Sequence, residues 1–95
     1  MRWLLFALLG CSNPMPPPPT ALDAQRANVQ LGELTEGRAL VIAKCAGGEC
    51  HRVPLPSDAR SKDWPFHVHA MAERSKIDAR QKRLIQQYLV VMARP

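Results

Sequence analysis

An all-α fold is predicted by three observations. Apolar residues recur at three- and four-residue steps in two long stretches, a third and shorter stretch has the same step, and no segment alternates as a half-buried strand would. The expected architecture is three helices around a loop that carries the chemistry.

The first helix is expected over about 29–44, where Val29, Leu31, Leu34, Val41 and Ile42 form the apolar set. Gly32 and Gly37 lie inside it. Each lowers helix propensity by about 1 kcal/mol against alanine, so glycine here either marks close approach of another backbone or is simply tolerated. The sequence CAGGECHRVPLPSDARS follows and reads as loop, because Gly47-Gly48, Pro54 and Pro56 interrupt regular structure. The second helix is expected to begin near Ser61 or Asp63, both good N-caps, with Pro65 tolerated in the first turn. Trp64, Val68 and Met71 share one face, His67 borders it, and His69 points elsewhere. The third helix starts after Asp78, which with Gln81 has the form of a capping box. Its stripe is Leu84, Tyr88 and Met92, widened by Ile85 and Leu89, and it should run to about Ala93.

The N-terminal part does not read as domain material. MRWLLFALLGC has a charge at Arg2, an apolar run over 3–9, then Gly10 and Cys11, the order of a secretory signal. The run is too short to cross a bilayer as a helix. Leu8-Leu9-Gly10-Cys11 resembles the lipobox of bacterial lipoproteins, in which the cysteine thiol takes a diacylglyceryl group and becomes the first residue. SNPMPPPPT follows, and its prolines favour a semi-rigid polyproline II spacer. Residues 20–27 either continue that spacer or begin a fraying helix. The expected organisation is a signal peptide over 1–10, a lipidated Cys11 with a proline-rich linker over 11–27, and a domain over 28–95. That places the domain on the periplasmic or outer-surface side of a bacterial membrane, held by a lipid anchor.

A domain of this size buries little surface and needs a staple or a large apolar cofactor. The whole chain has two Trp, one Tyr and two Phe, so its aromatic inventory is thin. The formal net charge is +5. Arg74, Lys76, Arg80, Lys82 and Arg83 concentrate late in the chain, either as a solvated helix face or as a docking surface for an acidic partner or an anionic membrane. No aromatic residues interleave that stretch, and an export signal also argues against nucleic acid.

Three cysteines is an odd number, which an exported protein has to account for. Lipidation of Cys11 removes one. Cys45 and Cys50 remain, with His51 immediately after. A covalent haem anchor needs its second thioether and its proximal imidazole on neighbouring residues, and Cys50-His51 supplies that adjacency. Four residues separate the cysteines, and Gly47-Gly48 is the composition that lets an enlarged loop bulge. Two other readings share these residues. One is a structural zinc site of Cys45, Cys50, His51 and either His67 or His69. The other is a Cys45–Cys50 disulfide in a lipoprotein without redox activity.

The stretch from Gly37 to Leu89 resembles small class I cytochromes c, the monohaem c-type family. There a helix near a glycine leads into a Cys…Cys-His site, a Trp-led helix follows with a Met-Ala-x-x-Ala/Ser ending, and the terminal helix carries Ile-x-x-Tyr-Leu. The corresponding features here are Gly37, Cys45, Cys50 and His51, Trp64, Met71-Ala72-Glu73-Arg74-Ser75, and Ile85-Gln86-Gln87-Tyr88-Leu89. The family places two residues between the cysteines where this chain places four. The resemblance implies a cytochrome c-like fold of three helices around a covalently attached haem c, with Cys45 and Cys50 as thioethers. His51 would be the proximal iron ligand and Met71 the distal one. Thioether sulfur suits an electron-transfer haem. His67, one turn before Met71, is the alternative distal ligand, and His69 is a weaker one. The Pro54 carbonyl is a candidate acceptor for the His51 imidazole N–H. The implied role is an electron carrier rather than an enzyme, working with redox partner proteins, an acidic one among them, or as the cytochrome subunit of a larger oxidoreductase.

Overall fold

The structure, a computed structural model, describes residues 14–45 and 53–93. These residues are all-helical, with no strand among them. Helices α1 (Ala21–Ala27) and α2 (Leu31–Lys44) come first. Two short 3₁₀ turns (Pro56–Asp58 and Ser61–Asp63) lead into α3 (Trp64–Ser75), and α4 (Ala79–Met92) completes the order.

Of the two readings of residues 20–27, spacer or helix, the structure shows a capped helix over Ala21–Ala27. Thr20 Oγ1 accepts from the Asp23 backbone N–H at 3.2 Å, and Asp23 Oδ2 accepts from the Thr20 N–H at 2.8 Å. This reciprocal pair satisfies two orphan donors at the start of α1. Asn28 ends α1 in the left-handed region at φ 56°, a conformation asparagine tolerates better than most residues.

The proline segment before α1 lies against the bundle. Pro16 is buried, and its carbonyl accepts from Arg38 Nε at 2.9 Å. The Tyr88 hydroxyl donates to the Pro17 carbonyl. Prolines lack N–H groups and so place no demand on the bundle for acceptors, while their carbonyls are open to its donors. The strap is docked through two side chains that lie far along the sequence.

Helix α4 is the central element, in contact with all three other helices and both 3₁₀ turns. Asp78 caps it as expected. Asp78 Oδ1 accepts from the Gln81 N–H at 2.7 Å, and Gln81 Oε1 accepts from the Asp78 N–H at 3.1 Å. Leu84, Ile85, Tyr88 and Leu89 are all fully buried, a stripe wide enough to serve two neighbours at once. On one flank α2 presents Leu34, Gly37 and Val41, all buried. Two exposed ion pairs rim this contact, Glu36–Arg80 at 2.7 Å and Glu33–Arg83 at 3.7 Å. Arg80 grips Glu36 with both terminal nitrogens, and this hydrogen bonding holds the Glu36 carboxyl below its usual range. Pairs this exposed orient the helices and stabilise little. On the other flank α3 packs Trp64 and Val68 against Ile85 and Leu89 in one core cluster, which also holds Val41, Val53 and Tyr88.

Observed boundaries differ modestly from those expected. Helix α2 starts at Leu31 rather than near Val29, because α1 and its Asn28 turn occupy the preceding residues. Helix α3 begins at Trp64, after a 3₁₀ turn built on Ser61 and Asp63, with Pro65 in its first turn.

The two helical glycines predict opposite outcomes. A Cβ on Gly37 would meet the Leu84 carbonyl oxygen and, at 2.8 Å, Tyr88 Cβ, whereas a Cβ on Gly32 meets nothing within 4 Å. Gly37→Ala forces α2 and α4 apart and is expected to cost about 1–3 kcal/mol, an overpacking penalty. Gly32→Ala should be neutral or stabilise by up to about 1 kcal/mol. Urea or thermal unfolding of the two variants beside the parent measures both.

Candidate functional site

The site is built from α3 and the loop before it. Leu55 donates its N–H to Asp58 Oδ2 at 2.9 Å, which closes the first 3₁₀ turn around buried Pro56. The Pro56 carbonyl accepts the indole N–H of Trp64 at 3.0 Å within the core. Trp64 thus has both its ring buried and its polar atom satisfied, and its ring plane is fixed relative to the turn.

Residues one and two turns on from Trp64 face the same way. His67, Ala70 and Met71, together with Trp64, line one side of a cleft of about 320 Å³. Pro54, Asp58 and Ala59 line the other. Most of the lining is apolar, the composition of a small-molecule or cofactor pocket, with few polar groups to set orientation. Met71 is half-buried and packs on the core cluster as well as lining the cleft. The His67 ring is exposed at the edge and stands edge-on to Trp64 and Phe66, at centroid distances of 5.8 and 5.7 Å.

Cys45 caps α2, with its N–H bonded to the Val41 carbonyl at 3.0 Å. Its side chain is half-buried against the same core cluster. Burial pushes its thiol up to about 11, so this position favours neutral sulfur over thiolate. Val53, at the far end of the following segment, is itself a buried member of that cluster. Cys45 and Val53 thus belong to one core, and Pro54 is in the cleft wall.

The sequence-derived candidates divide accordingly. Met71 and its alternative His67 both line the cleft. His69 is directed elsewhere, with its Nδ1 2.9 Å from Lys82 Nζ. Cys45 is placed beside the core. Cys11, Cys50 and His51 lie outside the described residues. Among the described residues no group of three or more His, Cys, Asp or Glu side chains is arranged to hold a metal ion. The suggested basic docking run is partly a helix–helix clasp, since Arg80 and Arg83 are paired with Glu36 and Glu33.

Two features of the site were not singled out from sequence. Ala59 and Asp58 in the cleft wall depend on the 3₁₀ turn, for which Pro56 with Asp58 was the available signal. Phe66, 74 % exposed beside the cleft, carries no sequence signal that separates it from a core aromatic.

Comparison of the chain with sequence-family profiles, with curated proteins and with solved structures finds no match in any of the three.

Two measurements test this geometry. Trp64→Phe leaves the buried Pro56 carbonyl without its donor and should destabilise the chain by about 1–3 kcal/mol. The second is a pH dependence. In a chain with Cys45 reduced, the folded thiol keeps its proton to about pH 11, against an ordinary value of 9.0. The unfolded chain loses that proton first, so the contribution is intact below about pH 9 and is lost as pH rises towards 11. Tyr88, pushed up to about 12 by burial, extends the loss further. Urea unfolding between pH 8 and 11 should fall less steeply for Cys45→Ala than for the parent.

Proposed function

We propose that this chain is an exported, lipid-anchored monohaem c-type cytochrome that carries single electrons at the outer side of a bacterial membrane. The observation that carries the reading is positional. Cys45 and Val53, the described residues on either side of Cys50-His51, both pack on the core, and Pro54 shares an apolar cleft with Met71.

Two described residues, Met71 and Cys45, support a haem reading. A soft thioether projects into an apolar cleft, and Cys45 sits where neutral sulfur is favoured, as in a carbon–sulfur thioether. In this reading Cys45 and Cys50 hold the porphyrin and His51 and Met71 ligate its iron. When bound, the haem supplies reversible one-electron exchange. The chain's own residues supply the rest. Trp64, locked by Pro56, gives a rigid apolar wall that excludes water. Ala59 and Ala70 leave room where larger side chains would fill the cleft. Phe66 and His67 stand at its exposed edge, where a redox partner protein would approach. No described residue is assigned a catalytic role, so the reading is of a carrier, either alone or as a subunit of a larger oxidoreductase.

A Cys45–Cys50 disulfide also keeps the Cys45 sulfur neutral and is the alternative this position allows. A structural zinc site of Cys45, Cys50, His51 and either His67 or His69 is the other alternative. Production in a host with haem-attachment machinery separates these readings. Covalent haem survives denaturing electrophoresis and stains through its peroxidase activity, whereas a disulfide or a zinc site gives no colour. A colourless, fully processed product ends the cytochrome reading. In the coloured product, Met71→Ala should retain covalent haem and lose the iron–sulfur charge-transfer band. Persistence of that band would move the distal ligand to another residue, His67 first.

A further inference from the structure

We propose that the proline strap seats this domain directly against the membrane interface on its strap-and-α1 side, rather than holding it away from the bilayer. The proposal rests on the reading of Cys11 as the lipid-bearing residue.

The argument is one of chain length. A free polyproline spacer over 11–27 would reach roughly 50 Å at about 3.1 Å per residue. The folded domain, however, already begins at Pro16. That residue is buried, its carbonyl is held by Arg38 and the next by Tyr88, and α1 follows with caps at both ends. Five Cα steps separate Cys11 from Pro16, at most about 18 Å of fully extended chain. The headgroup layer itself takes up part of that distance, since the polar regions add about 5–8 Å to each side of the hydrocarbon core. A lipid on Cys11 therefore leaves the strap side within reach of the interface and no further.

What that side offers fits a lipid surface. Of the four large apolar residues exposed among the described residues, Met15 and Leu22 lie in the strap and α1, each about half exposed, and Leu31 opens α2. Exposed Arg26 sits in the last turn of α1. Leu22 and Arg26 are four residues apart on one face of α1, and an apolar side chain beside a guanidinium suits the boundary between acyl chains and phosphates. Helix α1 contributes nothing to the cleft lining, so seating it on lipid leaves the cleft clear. The fourth exposed apolar residue, Phe66, flanks the cleft and not the strap.

The test uses the mature, lipidated chain on vesicles of phosphatidylcholine with phosphatidylglycerol. Nitroxide labels are placed on the variants Met15→Cys, Leu22→Cys and Phe66→Cys, and the parent, treated identically, supplies the background. Three results are expected. The intact mass includes the diacylglyceryl group. The label at 15 is immobilised and becomes mobile when Tyr88→Phe and Arg38→Gln are added. On vesicles, the label at 22 loses its broadening by a water-soluble nickel chelate while that at 66 keeps it. A chain without the lipid mass overturns the anchor itself. A lipidated chain whose label at 15 is already mobile, or whose label at 22 stays as open to the chelate as that at 66, overturns the close seating and leaves the anchor standing.

Discussion

The close approach of α2 to α4 at Gly37 is the constraint on which the rest of the structure depends. The helix backbones come so near that a single methyl group would collide with the Leu84 carbonyl and the Tyr88 side chain. At that separation Leu34 and Val41 reach the α4 stripe above and below the glycine, and Tyr88 becomes fully buried. A buried phenol needs a hydrogen-bond partner, and it finds one in the Pro17 carbonyl. The glycine thus explains the tyrosine, and the tyrosine explains why a proline segment that cannot form regular structure is nonetheless ordered against the bundle.

The opposite flank of α4 carries the cleft. Ile85 and Leu89 support Val68 and Trp64, and Trp64 is tied through its indole N–H to the 3₁₀ turn at Pro56. Once Trp64 and Val68 face the core, helical spacing turns His67 and Met71 towards the cleft, with Met71 shared between core and opening. The α3 side of the cleft is the outer surface of the core, and the 3₁₀ segment facing it is tied to that surface through Trp64. This matters for a small domain, which buries too little surface to hold a site on mobile segments.

Much of this was legible in the sequence, and the exceptions have physical reasons. The α4 stripe and its Asp78–Gln81 box and the Trp64–Val68–Met71 face follow from local periodicity and capping, and the structure contains them all. Gly32 carried the same signal as Gly37 and faces open space, because propensity alone cannot say which side of a helix meets a neighbour. Helix α1 was obscured by the prolines before it, although Thr20 and Asp23 have the spacing of a capping box. The docking of the strap was not legible at all. It depends on Arg38 and Tyr88, which are 22 and 71 residues from the carbonyls they hold, and no local pattern encodes such pairs. Leu31 was grouped with the apolar set, but at the first position of α2 it projects to solvent. Cys11, Cys50 and His51 lie outside the described residues, so the centre of the proposed site still rests on sequence.

The burial of Cys45 has a consequence for the timetable of maturation. With its thiol raised to about 11, little of the reactive thiolate is present at pH 7. The closed bundle is therefore a poor substrate for any reagent, enzyme or second cysteine that must bond to this sulfur. On the proposed reading, a bond to this sulfur forms more readily while the end of α2 is still away from the core, so the fold sets a deadline for that chemistry.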